Sequence, residues 1–98
     1  MDADWLHQHT RHSPTLLRAR VHQYAAVASG PTLATSLAAA AEAALARVLS
    51  HPGDRSIALD LLAADALITL ALLAQAQTAP EQLEEFALSV LRVWRSDR

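Results

Sequence analysis

The sequence predicts an all-α protein, an antiparallel up-and-down four-helix bundle with a short N-terminal helical leader. Three observations carry that expectation. The apolar fraction, 52 % of 98 residues, is dominated by alanine and leucine, and aromatics make up only 4 %; such a composition favours helices over strands. Prolines, glycines and capping residues cut the chain into segments of helical length. Within those segments, large apolar side chains recur at helical spacing.

Taken in order, residues 1–13 form the leader, MDADWLHQHTRHS. Ser13 followed by Pro14 reads as an N-cap and first-turn proline, and Gly30 with Pro31 closes the segment, which predicts a first long helix over 14–29. Pro31 also suits the first turn of a second helix, over 31–50, stopped by the HPGD sequence at 51–54. Asp54 is the expected N-cap of a third helix, over 54–77. Thr78 and Glu81 then spell a T-x-x-E capping box, which opens a fourth helix over 79–95. The whole chain is expected to form one helical domain.

Three of the four long helices gather their large apolar residues on one face: Leu16, Leu17, Val21, Tyr24 and Val27 in the first, Leu33, Leu37, Leu45 and Val48 in the second, and Leu83, Phe86, Val90, Val93 and Trp94 in the fourth. The third differs. Ile57, Leu61, Ile68 and Leu72 form one stripe, and Leu59, Leu62, Leu70 and Leu73 form another on nearly the opposite side. Ala63, Ala64, Ala71 and Ala74 lie between them and would let a neighbouring helix approach closely. A helix that is dry on two sides needs a second partner, so the sequence predicts a homodimer, or a complex with another helical protein, with Leu59, Leu62, Leu70 and Leu73 as interface candidates.

Composition excludes several function classes. The net charge is −2 and all eight basic residues are scattered arginines, so no nucleic-acid surface is expected. With neither cysteine nor lysine in the chain, thiolate and Schiff-base chemistry and a phosphate-gripping P-loop are ruled out. The two glycines stand alone, and neither an H-E-x-x-H nor an E-x-x-H pattern occurs. No cofactor is expected. The stretch SIALDLLAADALITLALLAQA, 56–76, is long enough for a bilayer, but Asp60 and Asp65 would each cost about 2.5–3.5 kcal/mol there, so it is read as buried in protein. The N-terminus lacks the basic-then-apolar pattern of a secretory signal, which leaves a cytoplasmic location and no membrane contact as the expectation.

The titratable residues supply the remaining candidates. His9 and His12 stand at i and i+3, near His7, Asp2 and Asp4, and are weak metal-ligand candidates on a helical leader. Asp60 and Asp65 point about 140° apart on a helix, too far to share a proton or a metal. Arg20 lies inside the apolar stripe of its helix and is expected to pair with Asp60 or Asp65; in the alternative, both acids reach solvent and Arg20 snorkels. His51 is placed to cap the carbonyl end of the second long helix, and Tyr24 and the two tryptophans read as core or interface anchors. The segment AADALITLALLAQA, 63–76, resembles a helix of trans-isoprenyl diphosphate synthases. That family works through two D-D-x-x-D motifs, neither of which occurs here, and no function is carried over from the likeness.

The leading functional expectation is therefore non-enzymatic, a small helical interaction or oligomerisation module open to a regulatory role. The alternative is a small-ligand-binding bundle, or a minor enzyme, with an apolar pocket addressed by Asp60, Asp65 and Arg20.

Overall fold

The computed structural model describes residues 3–96. Asp2 lies outside that span, and within it Val93 and Ser96 are described by their backbone alone. All regular structure among the described residues is helical: α1 (Ala3–Thr10), α2 (Thr15–Val27), α3 (Leu33–Ser50), α4 (Ile57–Thr78), a 3₁₀ turn (Pro80–Gln82) and α5 (Leu83–Ser96).

The core is a helical hairpin. α3 and α4 share the most extensive contact in the molecule, and its deepest residues are small: Ala40, Ala41 and Ala44 on α3, with Ala63 and Ala71 on α4, are fully buried around Leu37 and Leu67. Alanines at a helix contact draw the axes toward the short end of the usual range of roughly 8–10 Å. On α4 it is thus the alanine side that faces inward, and the leucine stripes stand on its shoulders. α2 packs on both members of the hairpin through Val21 and Ala25. α1 adds buried Leu6 and is tied to the far end of α4 by a Trp5 Nε1 to Gln77 Oε1 hydrogen bond of 2.9 Å.

The last helix is attached differently. No described side chain of α5 is buried, and its main contacts are with α4 and the 3₁₀ turn. Phe86 and Trp94 rest half-buried on the core. Between α5 and α3 runs a groove of about 190 Å³, lined by Ala38, Ala39, Glu42, Phe86, Val90 and Trp94.

Several helix ends depart from the sequence expectation. Pro14 itself, not Ser13, is the N-cap of α2, and no side chain caps that end. The capping box expected at Thr78 and Glu81 is absent: the Thr78 hydroxyl donates back to the Ala74 carbonyl, and the chain passes through the 3₁₀ turn instead. A capping box does form at the start of α3, between Thr32 and Thr35. There Gly30 lies so close that a Cβ on it would stand 2.7 Å from Thr35 Oγ1 and 3.0 Å from the Ser36 nitrogen. The hairpin turn needs Gly53, whose φ of 87° falls in the left-handed region that other residues rarely adopt. Asp54 accepts from the Ser56 amide and hydroxyl, 3.0 Å each, one turn before α4 begins.

The interface candidates are divided. Leu70 is a core residue, 8 % exposed, because it shares the inward face with Leu67 and Ala74. Leu59 is half-buried. Leu62 and Leu73 are exposed, and Leu61, from the other stripe, is exposed beside them.

Candidate functional site

One charged side chain sits at full burial among the described residues. Asp60 projects from the first turn of α4 toward the junction with α2 and the end of α3, and none of its surface reaches solvent. A carboxylate in such a place must be compensated. Arg20 Nη1 donates to its Oδ1 at 2.6 Å, and the Tyr24 hydroxyl donates to the same oxygen at 2.7 Å. Arg20 and Tyr24 are one turn apart on α2, so a single helix face supplies both donors. From the last turns of α3, Arg47 Nε stands 3.6 Å from the other oxygen, Oδ2. That is an ion pair without a hydrogen bond, and buried Oδ2 has no hydrogen-bond partner in the protein.

Electrostatics follow from this geometry. Burial alone would push the Asp60 carboxyl up, but the hydrogen bonds from Tyr24 and Arg20 and the charges of Arg20 and Arg47 outweigh it and hold the group below its ordinary value. Asp60 is therefore ionised at neutral pH. The Tyr24 phenol is pushed up to about 12 by burial, by its hydrogen bond to Asp60 and by that carboxylate's charge, so it remains a donor. Two guanidinium groups face one carboxylate, which leaves the junction with an excess of one positive charge. An open cleft of about 400 Å³ lies over it, lined by Arg20, Gln23, Tyr24, Val27, Arg47 and Asp60.

The other candidate residues lie elsewhere. Asp65 is exposed on the outer side of α4 and takes no part in the cluster, as its 140° offset from Asp60 requires. His9 and His12 do not share a helical face, because α1 ends at Thr10. The His9 ring stacks on Trp5, centroids 4.1 Å apart, with Nδ1 2.8 Å from the Trp5 carbonyl, while His12 Nε2 accepts from Arg11 Nε at 3.2 Å. No group of three or more metal-ligating side chains converges among the described residues. His51 is the C-cap residue of α3, and its Nδ1 lies 3.2 Å from the Arg47 carbonyl. His22 meets Thr10 Oγ1 at 3.1 Å; burial, together with the charges of His7 and Arg18, lowers its pKa.

Sequence reasoning missed Arg47 and assigned Tyr24 only an anchoring role. A signal existed for each. Tyr24 follows Arg20 by four residues, and Arg47 and Asp60 flank the short hairpin turn, so the last turns of α3 and the first of α4 must lie side by side. Neither a protein-family model nor a curated protein nor a solved structure matches the chain.

Proposed function

We propose that this protein is a small helical association module that pairs with a second copy of itself through the outer face of α4. One observation carries the reading. The most apolar 18-residue window of α4 has a mean hydropathy of 2.1, yet only 44 % of it is buried within the chain. On the uncovered side stand Leu61, Leu62 and Leu73, between 39 and 55 % exposed. They share an arc of about 120° with Asp65 and Thr69. The Thr69 hydroxyl is already satisfied by the Asp65 carbonyl at 2.9 Å, so it brings no orphaned donor into an interface. Covering such a face returns about 25 cal/mol per Å² of apolar area before the losses of association.

An up-and-down four-helix arrangement of α2 to α5 belongs to the same proposal, supported by the α3–α4 hairpin and by the placement of Phe86 and Trp94 on the core. So does a cytoplasmic location. α3 and α4 are each long and apolar enough to cross a membrane by length and composition, but in this fold they spend their alanine faces on each other. Sedimentation or light scattering at high micromolar concentration tests the proposal: a dimer is expected, and Leu62→Glu with Leu73→Glu should yield a folded monomer. A wild-type chain that stays strictly monomeric would sink it.

A further inference from the structure

We propose that the cleft between α2 and the α3–α4 hairpin binds a phosphate monoester, its protonated oxyanion held by Arg20 and Arg47 and read by Asp60. The inference is independent of pairing through α4, because the cleft opens over a different junction.

Three observations support it. First, the junction is built and charged: fully buried Asp60 fixes Arg20 through a 2.6 Å contact and holds Arg47 at 3.6 Å, so two guanidinium groups from different helices are pre-positioned beside one cleft. Each guanidinium has five N–H donors in a rigid fork that matches the oxygens of phosphate. Arg20 spends one donor on Asp60, and the Arg47 side chain, 54 % exposed, makes no side-chain hydrogen bond to it. An excess positive charge at the mouth of a cleft attracts an anion.

Second, Asp60 Oδ2 is a buried acceptor without a donor. Few native groups are left in that state without a ligand or water to satisfy them. A fully deprotonated oxyanion offers it nothing and repels it. A phosphate bearing a P–OH offers a donor to Oδ2 and acceptor oxygens to the two arginines. Oδ2 itself is sealed from solvent, so the half-exposed Arg47 side chain, whose Nε stands 3.6 Å from it, must swing outward as the ligand enters.

Third, at about 400 Å³ the cleft lies within the range of small-molecule sites, roughly 300–1,000 Å³, and exceeds the needs of a bare phosphate ion. The Tyr24 ring and Val27 line it as well and supply apolar wall for the organic part of an ester. Gln23 adds an amide with both donor and acceptor capacity.

The test is a titration near pH 6, close to the second pKa of a phosphate monoester at about 6, where a P–OH remains on the probe. Inorganic phosphate, glycerol phosphate and sulfate are each added to the full chain, and the arginine Nε–H and backbone amide NMR signals are followed. Saturable shifts centred on Arg20, Gln23 and Arg47 are expected, with sulfate weaker by about tenfold or more because it leaves Oδ2 unpaired. Tighter binding of glycerol phosphate than of inorganic phosphate identifies the ester as the ligand class; equal or weaker binding of it overturns that assignment. Arg47→Ala, at an exposed position, should remain folded and lose binding, while Arg55→Ala in the hairpin turn should keep it. Absence of saturable shifts, equal binding of sulfate, or unchanged binding by Arg47→Ala would each overturn the proposal.

Discussion

The α3–α4 seam and α5 are both apolar and helical, yet they end at opposite extremes of burial. α5 has the cleaner separation of wet and dry faces, with Leu83, Phe86, Val90 and Trp94 on one side and Glu84, Glu85 and Arg92 around the rest, where only Leu88 and Leu91 interrupt the polar surface among the described residues. None of its described side chains is buried. α4 has apolar residues nearly all round, and eight of its residues are buried, four of them alanines, Ala63, Ala64, Ala71 and Ala74, with Asp60 at the charged end. The difference teaches that amphipathicity marks which side of a helix faces the protein, whereas side-chain size decides how deeply the helix sits. Alanine lets backbones close on each other and excludes water, while Phe86 and Trp94 hold α5 off and leave the groove beside α3.

The largest effect is expected at the charged end of the seam. Arg20→Ala leaves Asp60 buried with one donor fewer and should cost about 3–5 kcal/mol in urea unfolding, whereas Arg18→Ala should stay within about 0.5 kcal/mol. Equal and small losses from the two would separate the ion pair from the stability of the seam. Its role then fits register between α2 and the hairpin better than net stabilisation, since buried pairs often lose in desolvation what they gain in attraction.

Acid probes the same pair without mutation. The Asp60 carboxyl titrates below its ordinary 3.8 in the folded protein, so the unfolded chain takes up that proton first as pH falls. The contribution is complete above 3.8 and drains away as pH drops through the folded pKa. Asp54, lowered by its hydrogen bonds from the Ser56 backbone and side chain, acts in the same direction, so the informative comparison is with Asp60→Asn. The unfolding midpoint of that variant should fall less steeply in acid; an unchanged slope would assign the acid sensitivity to other groups.

A smaller contrast sharpens the comparison of seam and edge. Ala71→Leu inserts bulk where no space exists and should cost about 1–3 kcal/mol. Leu91→Ala on the outer side of α5, where the residue is 49 % exposed, should change stability by about 0.5 kcal/mol or less. Thermal or denaturant unfolding of the two variants reads the difference, and a tolerant Ala71→Leu would mean that the seam is looser than its buried alanines indicate.

Much of the fold is legible in the sequence because helix propensity and chain punctuation are local. The segments at 14–29, 31–50, 54–77 and 79–95 lie within a few residues of α2, α3, α4 and the 3₁₀ turn with α5. The ends are less legible because capping depends on which backbone groups are left open. Thr32 and Thr35 satisfy each other at α3, whereas Thr78, with the same sequence credentials, bonds backward into its own helix. Arg20 and Asp60 stand out in the sequence because charges inside apolar stripes demand partners. Arg47 does not stand out, since a lone arginine near the end of a helix is ordinary by composition and gains meaning only from the hairpin that sets it beside Asp60.

By itself the sequence determined that the chain is helical, where its segments break, that its alanine faces permit close packing, and that Asp60 and Asp65 could not act as one site. These follow from propensity and from the 3.6-residue period, which act within a few turns of chain. Only the tertiary structure decided which side of α4 turned inward, which acid was buried, and that Tyr24 and Arg47 would complete the cluster around it. Those outcomes depend on residues brought together from three helices, where close packing and the need to compensate a buried charge select one arrangement from many that local preferences allow.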